Sequence, residues 1–274
     1  MDEPNNPYSP PSADVDSGVE PSSPEAFPPD GDLTRALAGD IRLDALAACK
    51  EGWARTAGMK LHFHIAITVF SLVYAPGILV AIAVSFYLGG LDDLSLFTDP
   101  EQMAQRMAGM ATNVGYITSA TVLMAPLNAF AYLAMWNLGL RRAAGHDTRI
   151  GDAFPLHRIV PATLVMFLLA PLGFLQLIHP VASYLGFPFW VLVLWTLPLF
   201  LDRQIGIVEA IRTSARLTVH NVAGIIIFGV VMVAGYIASI LTCGIGLIWF
   251  MPFVVASMGA MWRQLAGLEQ VRAA

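Results

Sequence analysis

The sequence predicts an all-α fold: a polytopic helical membrane bundle of about six transmembrane helices with amphipathic cytoplasmic elbows. Charged residues make up 13% of the 274-residue chain and its mean hydropathy is +0.64, whereas about a quarter of a soluble domain is charged. The charged residues fall in clusters between long apolar stretches. The basic residues alternate between many and few from one cluster to the next, which is typical of cytoplasmic and external loops.

Four stretches of the chain contain no Asp, Glu, Lys or Arg. They are residues 61–91, 107–140, 159–201 and 217–262, with lengths of 31, 34, 43 and 46 residues. A helix crosses a bilayer with about 20 apolar residues. The first two stretches therefore accommodate one crossing each, and the last two accommodate two crossings each.

The number of basic residues between the expected crossings favours six of them. Along the chain this number is 5, 1, 4, 0, 3, 0 and 2, where the zeros fall at turns containing His179-Pro180 and Gly244 to Gly246. Fourteen basic residues thus lie on one side of the membrane, which places both termini in the cytoplasm. The expected spans are residues 61–88, 115–138, 159–178, 182–201, 222–243 and 245–262.

The first 30 residues have a different composition from the rest. They contain seven acidic residues, no basic residue and eight of the 18 prolines. Such a segment buries too little apolar surface to fold, and it lacks the basic start and apolar core of a signal peptide. We expect a disordered acidic Pro/Ser-rich cytoplasmic tail at 1–38, a six-helix transmembrane domain at 39–265 and a short cytoplasmic tail at 266–274.

A charged segment at residues 202–221 separates the fourth and fifth expected spans. It has the two stripes of an amphipathic helix. The apolar stripe is Val208, Ile211, Ala215 and Val219, and the charged stripe is Glu209, Arg212 and Arg216. Residues 43–58, before the first span, repeat this pattern with a shift of 162 positions, so that Leu46 corresponds to Val208 and Lys50 to Arg212. A third basic connector, 141–158, precedes the third span, which suggests three helical hairpins.

The basic residues of these elbows are the candidate contacts with lipid headgroups, and they also set the topology. These residues are Lys50, Arg55, Arg203, Arg212 and Arg216. Basic amphipathic helices bind anionic lipid at the membrane surface. The expected partners are therefore the lipid bilayer, anionic lipid headgroups and a membrane protein, and not nucleic acid.

Asn128 is the main polar residue within an expected span. It follows Pro126 by two positions near the middle of span two. An Asn in a membrane helix usually hydrogen-bonds a neighbouring helix. The alternative is a substrate contact beside backbone loosened by the proline.

The sequence carries no recognisable catalytic or cofactor motif. It lacks a His-Glu-x-x-His pair, a Gly-x-Ser-x-Gly elbow, a phosphate-binding Gly-Lys-Ser/Thr loop and a Cys-x-x-Cys pair. The six spans hold no charged residue, which argues against ion coupling through buried carboxylates. His62 and His64 are expected as interfacial anchors, and a Met stripe at 103, 107 and 110 as an amphipathic helix, with copper binding as its alternative. We expect neither a metal nor a cofactor.

Three segments of the chain resemble a known family. They are "GLRRAAGHDTRIGDAF" at 139–154, "PLFLDRQIGIVEAIRTSARLTVHNVAGIIIF" at 198–228 and "CGIGLIWFMPF" at 243–253. They are similar to a large group of uncharacterised bacterial polytopic integral membrane proteins, and to the membrane domain of some bacterial glycerophosphoryl diester phosphodiesterases. The matching residues are Gly151, Asp152, Phe154, Asp202, Glu209, Ala210, Arg212, Ser214, Gly244, Gly246 and Pro252. The resemblance implies the membrane fold and no particular activity, and the phosphodiesterase catalytic domain is absent from this chain.

Three hypotheses for function follow. The first is a non-enzymatic scaffold or accessory partner of an envelope enzyme or transporter. The second is a transporter, flippase or channel for a lipid-like or neutral substrate, because the spans are rich in Pro and Gly. The third is an intramembrane enzyme of lipid metabolism that uses cytoplasmic His and Arg residues. We rank them in this order, so we expect a protein that is not an enzyme.

Overall fold

The fold is all-α throughout the residues that the structure, a computed structural model, describes. Those residues are 27–57, 59–88, 101, 114–149, 151, 159–169 and 186–269. Their helices are α1 (Leu33–Ala38), α2 (Ala45–Arg55), α3 (Lys60–Leu88), α4 (Val114–Ala143), α5 (Ile159–Leu169), α6 (Gly186–Leu192), α7 (Thr196–Pro198), α8 (Ile207–Leu241) and α9 (Leu247–Ala266). A π-helical turn, Leu199–Arg203, directly follows α7.

One described helix, α8, is by itself long and apolar enough to cross a membrane. Helix α2 and the first part of α3, Lys60–Gly77, meet the same requirement only as a pair, with a bend of 88° between them. Helix α8 contains its own kink at Asn221, where φ is −121° and ψ is 17°. Membrane-length helices are therefore fewer among the described residues than the six expected crossings.

Helices nevertheless occupy part of each expected span. Helices α3 and α4 begin within one residue of the predicted starts at 61 and 115. The third and fourth spans correspond to the shorter α5 and α6, and residues 170–185 between them lie outside the described part. The expected external helix with the Met stripe also lies outside it.

The core is built around three tryptophans. Trp195 lies between Trp136 and Trp262, and the ring centroids are 6.1 Å apart in both pairs. All three side chains are fully buried. Trp136 and Trp262 therefore hold helices α4 and α9 together through Trp195.

Close helix crossings depend on glycine. A Cβ on Gly139 of α4 would lie 2.5 Å from the carbonyl oxygen of Val255 on α9, and Gly139 directly faces Gly259. A Cβ on Gly52 of α2 would lie 2.6 Å from the backbone nitrogen of Ser257. Helix α9 is thus in backbone contact with both α2 and α4, as small residues allow in helical membrane proteins.

The folded region is longer at both ends than the predicted boundaries at 39 and 265. Helix α1 begins at Leu33 because the Asp32 carboxylate accepts a hydrogen bond from the Arg35 backbone nitrogen at 2.9 Å. Ala36 of this helix is fully buried in the core. At the other end, Leu268 is buried and the Glu269 backbone nitrogen donates to Asp202 at 3.1 Å. Both terminal segments therefore pack against the helices.

Candidate functional site

The candidate site is the polar end of the helices, the region that contains Glu51, Arg55, Arg142, Asp202, Arg203 and Arg263. The buried carboxylate of Glu51 lies at its centre. Glu51 on α2 is fully buried and accepts hydrogen bonds from three guanidinium nitrogens. The Arg263 side chain donates from Nε at 2.9 Å and from Nη2 at 2.6 Å, and Arg55 donates from Nε at 2.8 Å. Arg263 also donates from Nη1 to Asp30 at 2.6 Å. Bidentate contacts of this kind are the strongest carboxylate–arginine pairs.

The charge of Arg263 is stabilised despite its burial. Removal from water lowers the pKa of its guanidinium, but the hydrogen bonds that it donates to Glu51 and Asp30, together with their negative charges, outweigh this effect and raise the pKa overall. Asp30 belongs to the segment that precedes α1, and the Gly31 backbone nitrogen donates to the Arg263 carbonyl at 2.8 Å. The network therefore joins the N-terminal segment, α2 and the end of α9.

Arg55 and Arg142 hold α2 and α4 together through the backbone. Arg55 Nη1 donates to the Arg142 carbonyl at 3.0 Å, and Arg142 Nε donates to the Arg55 carbonyl at 2.7 Å. Arg142 Nη2 donates to the Ala57 carbonyl as well. Burial lowers the pKa of Arg142. Both arginines satisfy carbonyls at helix ends, so their side chains point into the protein.

Asp202 and Arg203 form a second internal cluster at the π-helical turn. The fully buried Asp202 accepts a hydrogen bond from Trp262 Nε1 at 3.0 Å, and its carboxylate lies 3.3 Å from Arg203 Nε. Arg203 also contacts the Glu269 carboxylate and the Ala266 carbonyl. Burial lowers the pKa of Arg203. This cluster attaches the start of the α8 elbow to the end of α9.

The five basic residues predicted to contact lipid therefore separate into two groups. Arg55 and Arg203 are engaged inside the protein by partners that are distant in sequence. Lys50, Arg212 and Arg216 are exposed on the outer sides of α2 and α8. Within the described ranges these three side chains take part in no ion pair, so they are available to an external anion.

Asn128 takes part in a hydrogen bond between two helices. The Tyr74 hydroxyl of α3 donates to Asn128 Oδ1 on α4 at 3.0 Å. Other polar side chains also face inward. Ser214 of α8 accepts from the Trp195 backbone nitrogen at 3.0 Å and donates to the Leu192 carbonyl at 2.7 Å. These hydrogen bonds connect helices, and they use the groups that a substrate would otherwise contact.

An apolar cavity of about 370 Å³ lies beside the tryptophan core. Tyr132 and Trp190 stack with their ring centroids 6.1 Å apart, and both are partly exposed. Other lining residues are Trp136 on α4, Met166 on α5, Leu194 between α6 and α7, and Met258 on α9. The volume is within the range of small-molecule pockets, and the lining suits an apolar group.

The described residues hold no group of three His, Cys, Asp or Glu side chains that could bind a metal ion. A ring nitrogen of His64, Nε2, lies 2.8 Å from the Ile248 carbonyl of α9, and His62 is exposed. The sequence reasoning missed Glu51, Asp202 and Arg263 as a buried ionic centre. Glu51 and Asp202 are acidic residues in segments that were expected to bind anionic lipid. This mismatch was the signal in the sequence that could have indicated their internal role.

Several residues that carry the family resemblance have structural roles here. Asp202, Ala210, Ser214 and Pro252 are buried, and Gly246 makes a close contact at the turn between α8 and α9. Glu209 and Arg212 are exposed on α8. Asp152 and Phe154 lie outside the described residues.

Comparison with known proteins gives no relative. No family model, no curated protein and no solved structure matches this chain.

Proposed function

We propose that this chain is a polytopic integral protein of a bacterial inner membrane that acts as a non-enzymatic scaffold or accessory partner. The observation that carries the proposal is the distribution of side chains on α8. Its apolar residues Ile226, Val230 and Val233 point outward, and only 17% of its most apolar stretch is buried. Its polar residues Ser214 and Asn221 point inward. In water such a surface would associate or aggregate, whereas a bilayer covers it.

Six crossings with both termini in the cytoplasm remain our interpretation of the topology. It is supported by the four charge-free stretches, the alternation of basic residues and the presence of helices within every expected span. Helix α3 has the same outward apolar surface as α8, with Leu72, Leu79 and Val80 exposed. The resemblance to uncharacterised bacterial membrane proteins is in accord with this fold.

A scaffold role follows from how the polar groups are used. Glu51, Asp202 and Arg263 bind other parts of the chain, and Asn128 and Ser214 connect helices. None of these groups is both exposed and without a hydrogen-bond partner, as an accessible catalytic acid, base or nucleophile would be. Among the described residues, an apolar outer surface and the cations Lys50, Arg212 and Arg216 are accessible, which suits binding to lipid and to a membrane partner.

Two measurements test the proposal. Sodium carbonate extraction of membranes should leave the full-length protein in the pellet, and a periplasmic reporter should be active within 92–112 and silent within 203–220. Affinity purification in mild detergent should recover one stoichiometric membrane partner. Extraction into the carbonate supernatant would refute membrane integration, and recovery of the protein without any partner would refute the accessory role.

The apolar cavity favours a second candidate, a transporter or flippase for a lipid-like substrate. Its stacked pair Tyr132 and Trp190 is reachable from the surface that a bilayer would cover. Liposomes that contain the purified protein should then move labelled lipid faster than empty liposomes, and Met166→Trp should slow this movement by filling the cavity. Equal rates with and without protein would exclude the candidate.

A further inference from the structure

Helices α2 and α8 begin at equivalent positions of an internal repeat. With the shift of 162 residues, Ala45 at the start of α2 corresponds to Ile207 at the start of α8. Lys60, which begins α3, corresponds to Val222, the residue directly after the kink at Asn221. The shift of 162 residues follows from the side-chain pattern alone, and the helix boundaries agree with it.

The buried faces of the two segments match position by position. Ala48 and Ala210 are both fully buried, and Thr56 and Thr218 are both buried at 2% exposure. Between them, Gly52 and Ser214 are small residues that each contact a neighbouring segment. Three small residues at steps of four form one face of a helix, so both segments pack inward through the same kind of surface.

The outer faces match as well. Leu46 and Val208 have nearly the same exposure, 62% and 63%. Four residues later in each helix, Lys50 and Arg212 are both exposed cations. Helix α2 adds the exposed Trp53 at 60%, and α8 adds Arg216 and Val219. Glu209 is an acidic residue on the same side of α8. Its negative charge is outweighed by those of Arg212 and Arg216, so this face keeps a net positive charge.

Each segment also changes direction where its apolar helix begins. The bend between α2 and α3 is 88°, and α8 has non-helical backbone angles at Asn221. Exposed aliphatic residues continue beyond both bends, for example Leu72 on α3 and Ile226 on α8. If the helices after the bends enter a bilayer, the segments before the bends lie at the level of the headgroups.

We propose that α2 and the first half of α8 are two copies of one membrane-surface unit, which binds anionic phospholipid headgroups through Lys50, Arg212 and Arg216. This inference rests on the proposed membrane location, and it identifies the class of lipid that the protein binds. Leu46, Trp53 and Val208 insert among the headgroups, and the cations contact phosphate. Interfacial amphipathic helices combine apolar burial with attraction to anionic lipid in this way.

The test uses the full-length protein in a neutral detergent, titrated with phosphatidylglycerol or with phosphatidylcholine. The half-saturating lipid concentration is taken from the rise in unfolding temperature. Phosphatidylglycerol should stabilise the wild type at the lower concentration. Each cation near an anionic surface contributes roughly fivefold to binding, so R212Q/R216Q should raise the half-saturating phosphatidylglycerol concentration about thirtyfold. R212K/R216K should bind almost like the wild type, because it keeps both charges.

The matched control is R35Q/R42Q, which removes two exposed cations that lie outside both units. It should change the half-saturating concentration less than threefold. Equal stabilisation of the wild type by the two lipids, as expected if these cations bind an acidic protein instead, would overturn the inference. An equal effect of R35Q/R42Q and R212Q/R216Q would overturn it too. Carbonate extraction of the same proteins separates the two proposals: a wild type that stays in the pellet but shows no lipid preference disproves only the lipid inference.

Discussion

Arg263 donates two hydrogen bonds to the two carboxylate oxygens of Glu51, at 2.9 and 2.6 Å, although the residues are 212 positions apart. Glu51 is fully buried, so its charge depends on these contacts and on the hydrogen bond from Arg55. The pair joins a helix near the N-terminus to the last helix of the chain. This contact is therefore long-range, and it requires α2 and the end of α9 to be packed together.

Replacing Glu51 with Gln should destabilise the protein strongly. The substitution leaves Arg55 without its carboxylate partner and Arg263 with Asp30 as its remaining counter-charge, and breaking a buried pair in this way costs about 3–5 kcal/mol. Thermal unfolding in detergent, followed by tryptophan fluorescence, measures the effect. The control is Asp147→Asn, whose contact with Arg142 is 3.5 Å long and whose carboxylate is fully exposed. Equal unfolding temperatures for Glu51→Gln and the control would show that the buried pair contributes nothing.

Gly139→Ala should weaken the crossing of α4 and α9. The new methyl group would lie 2.5 Å from the Val255 carbonyl oxygen, so the two backbones would have to separate. Overpacking of this kind costs about 1–3 kcal/mol. Gly229→Ala on α8 is the matched control, because nothing lies within 4 Å of its added methyl group. We expect the control to retain or raise the unfolding temperature, because alanine favours a helix more than glycine does. An equal drop in both variants would show that the loss does not come from the close crossing at Gly139.

The sequence predicted the helical class and the starts of α3 and α4 because these depend on local apolar content. The breaks in charge distribution mark where such helices begin, with Lys60 at the start of α3 as the clearest case. The kink at Asn221 lies one residue before the predicted start of a span at 222. Patterns of this kind extend over a few residues, so they can be recognised from the local composition of the sequence.

The separation of the basic residues could not be predicted. Arg55 and Arg212 have similar neighbours in sequence, but Arg55 meets Glu51 and the carbonyl of Arg142, 87 positions away. Arg203 is likewise engaged by Glu269. Which cations remain exposed depends on tertiary contacts between distant segments, and periodicity contains no information on those contacts. The ends of the folded domain were misplaced for the same reason, since Leu268 is buried by packing that no local pattern indicates.

Asn221→Ala should loosen the attachment of α2 to α8. Asn221 Oδ1 accepts a hydrogen bond from the Leu43 backbone nitrogen at 2.8 Å, and its Nδ2 donates to the Leu217 carbonyl at 2.8 Å. Alanine leaves the Leu43 nitrogen buried without a partner, which costs about 1–3 kcal/mol. Hydrogen exchange of the Leu43 amide, measured by mass spectrometry, should become faster. His220→Ala, at the exposed neighbouring position, is the control, and faster exchange in both variants would contradict the role of the amide.

The two cysteines should differ sharply in their reaction with a membrane-impermeant maleimide. Cys49 on α2 is buried, and burial raises the pKa of its thiol. Cys243 is exposed at the turn between α8 and α9. Because the thiolate is the reacting species, a raised pKa slows labelling further at neutral pH. In spheroplasts the wild type should therefore react at one thiol, and mass spectrometry of the peptides should assign the label to Cys243.

Single variants separate access from topology in the same experiment. Cys243→Ala should remain unlabelled until the protein is denatured, whereas Cys49→Ala should react like the wild type. Rapid labelling of Cys243→Ala after the membrane is permeabilised, with the protein still folded, would mean that Cys49 is not protected by the packing of α2. Labelling of Cys243 only after the membrane is permeabilised would place its turn in the cytoplasm. That result would reverse the orientation inferred from the basic residues while leaving the helix packing unchanged, since the burial of Cys49 does not depend on which side the turn faces.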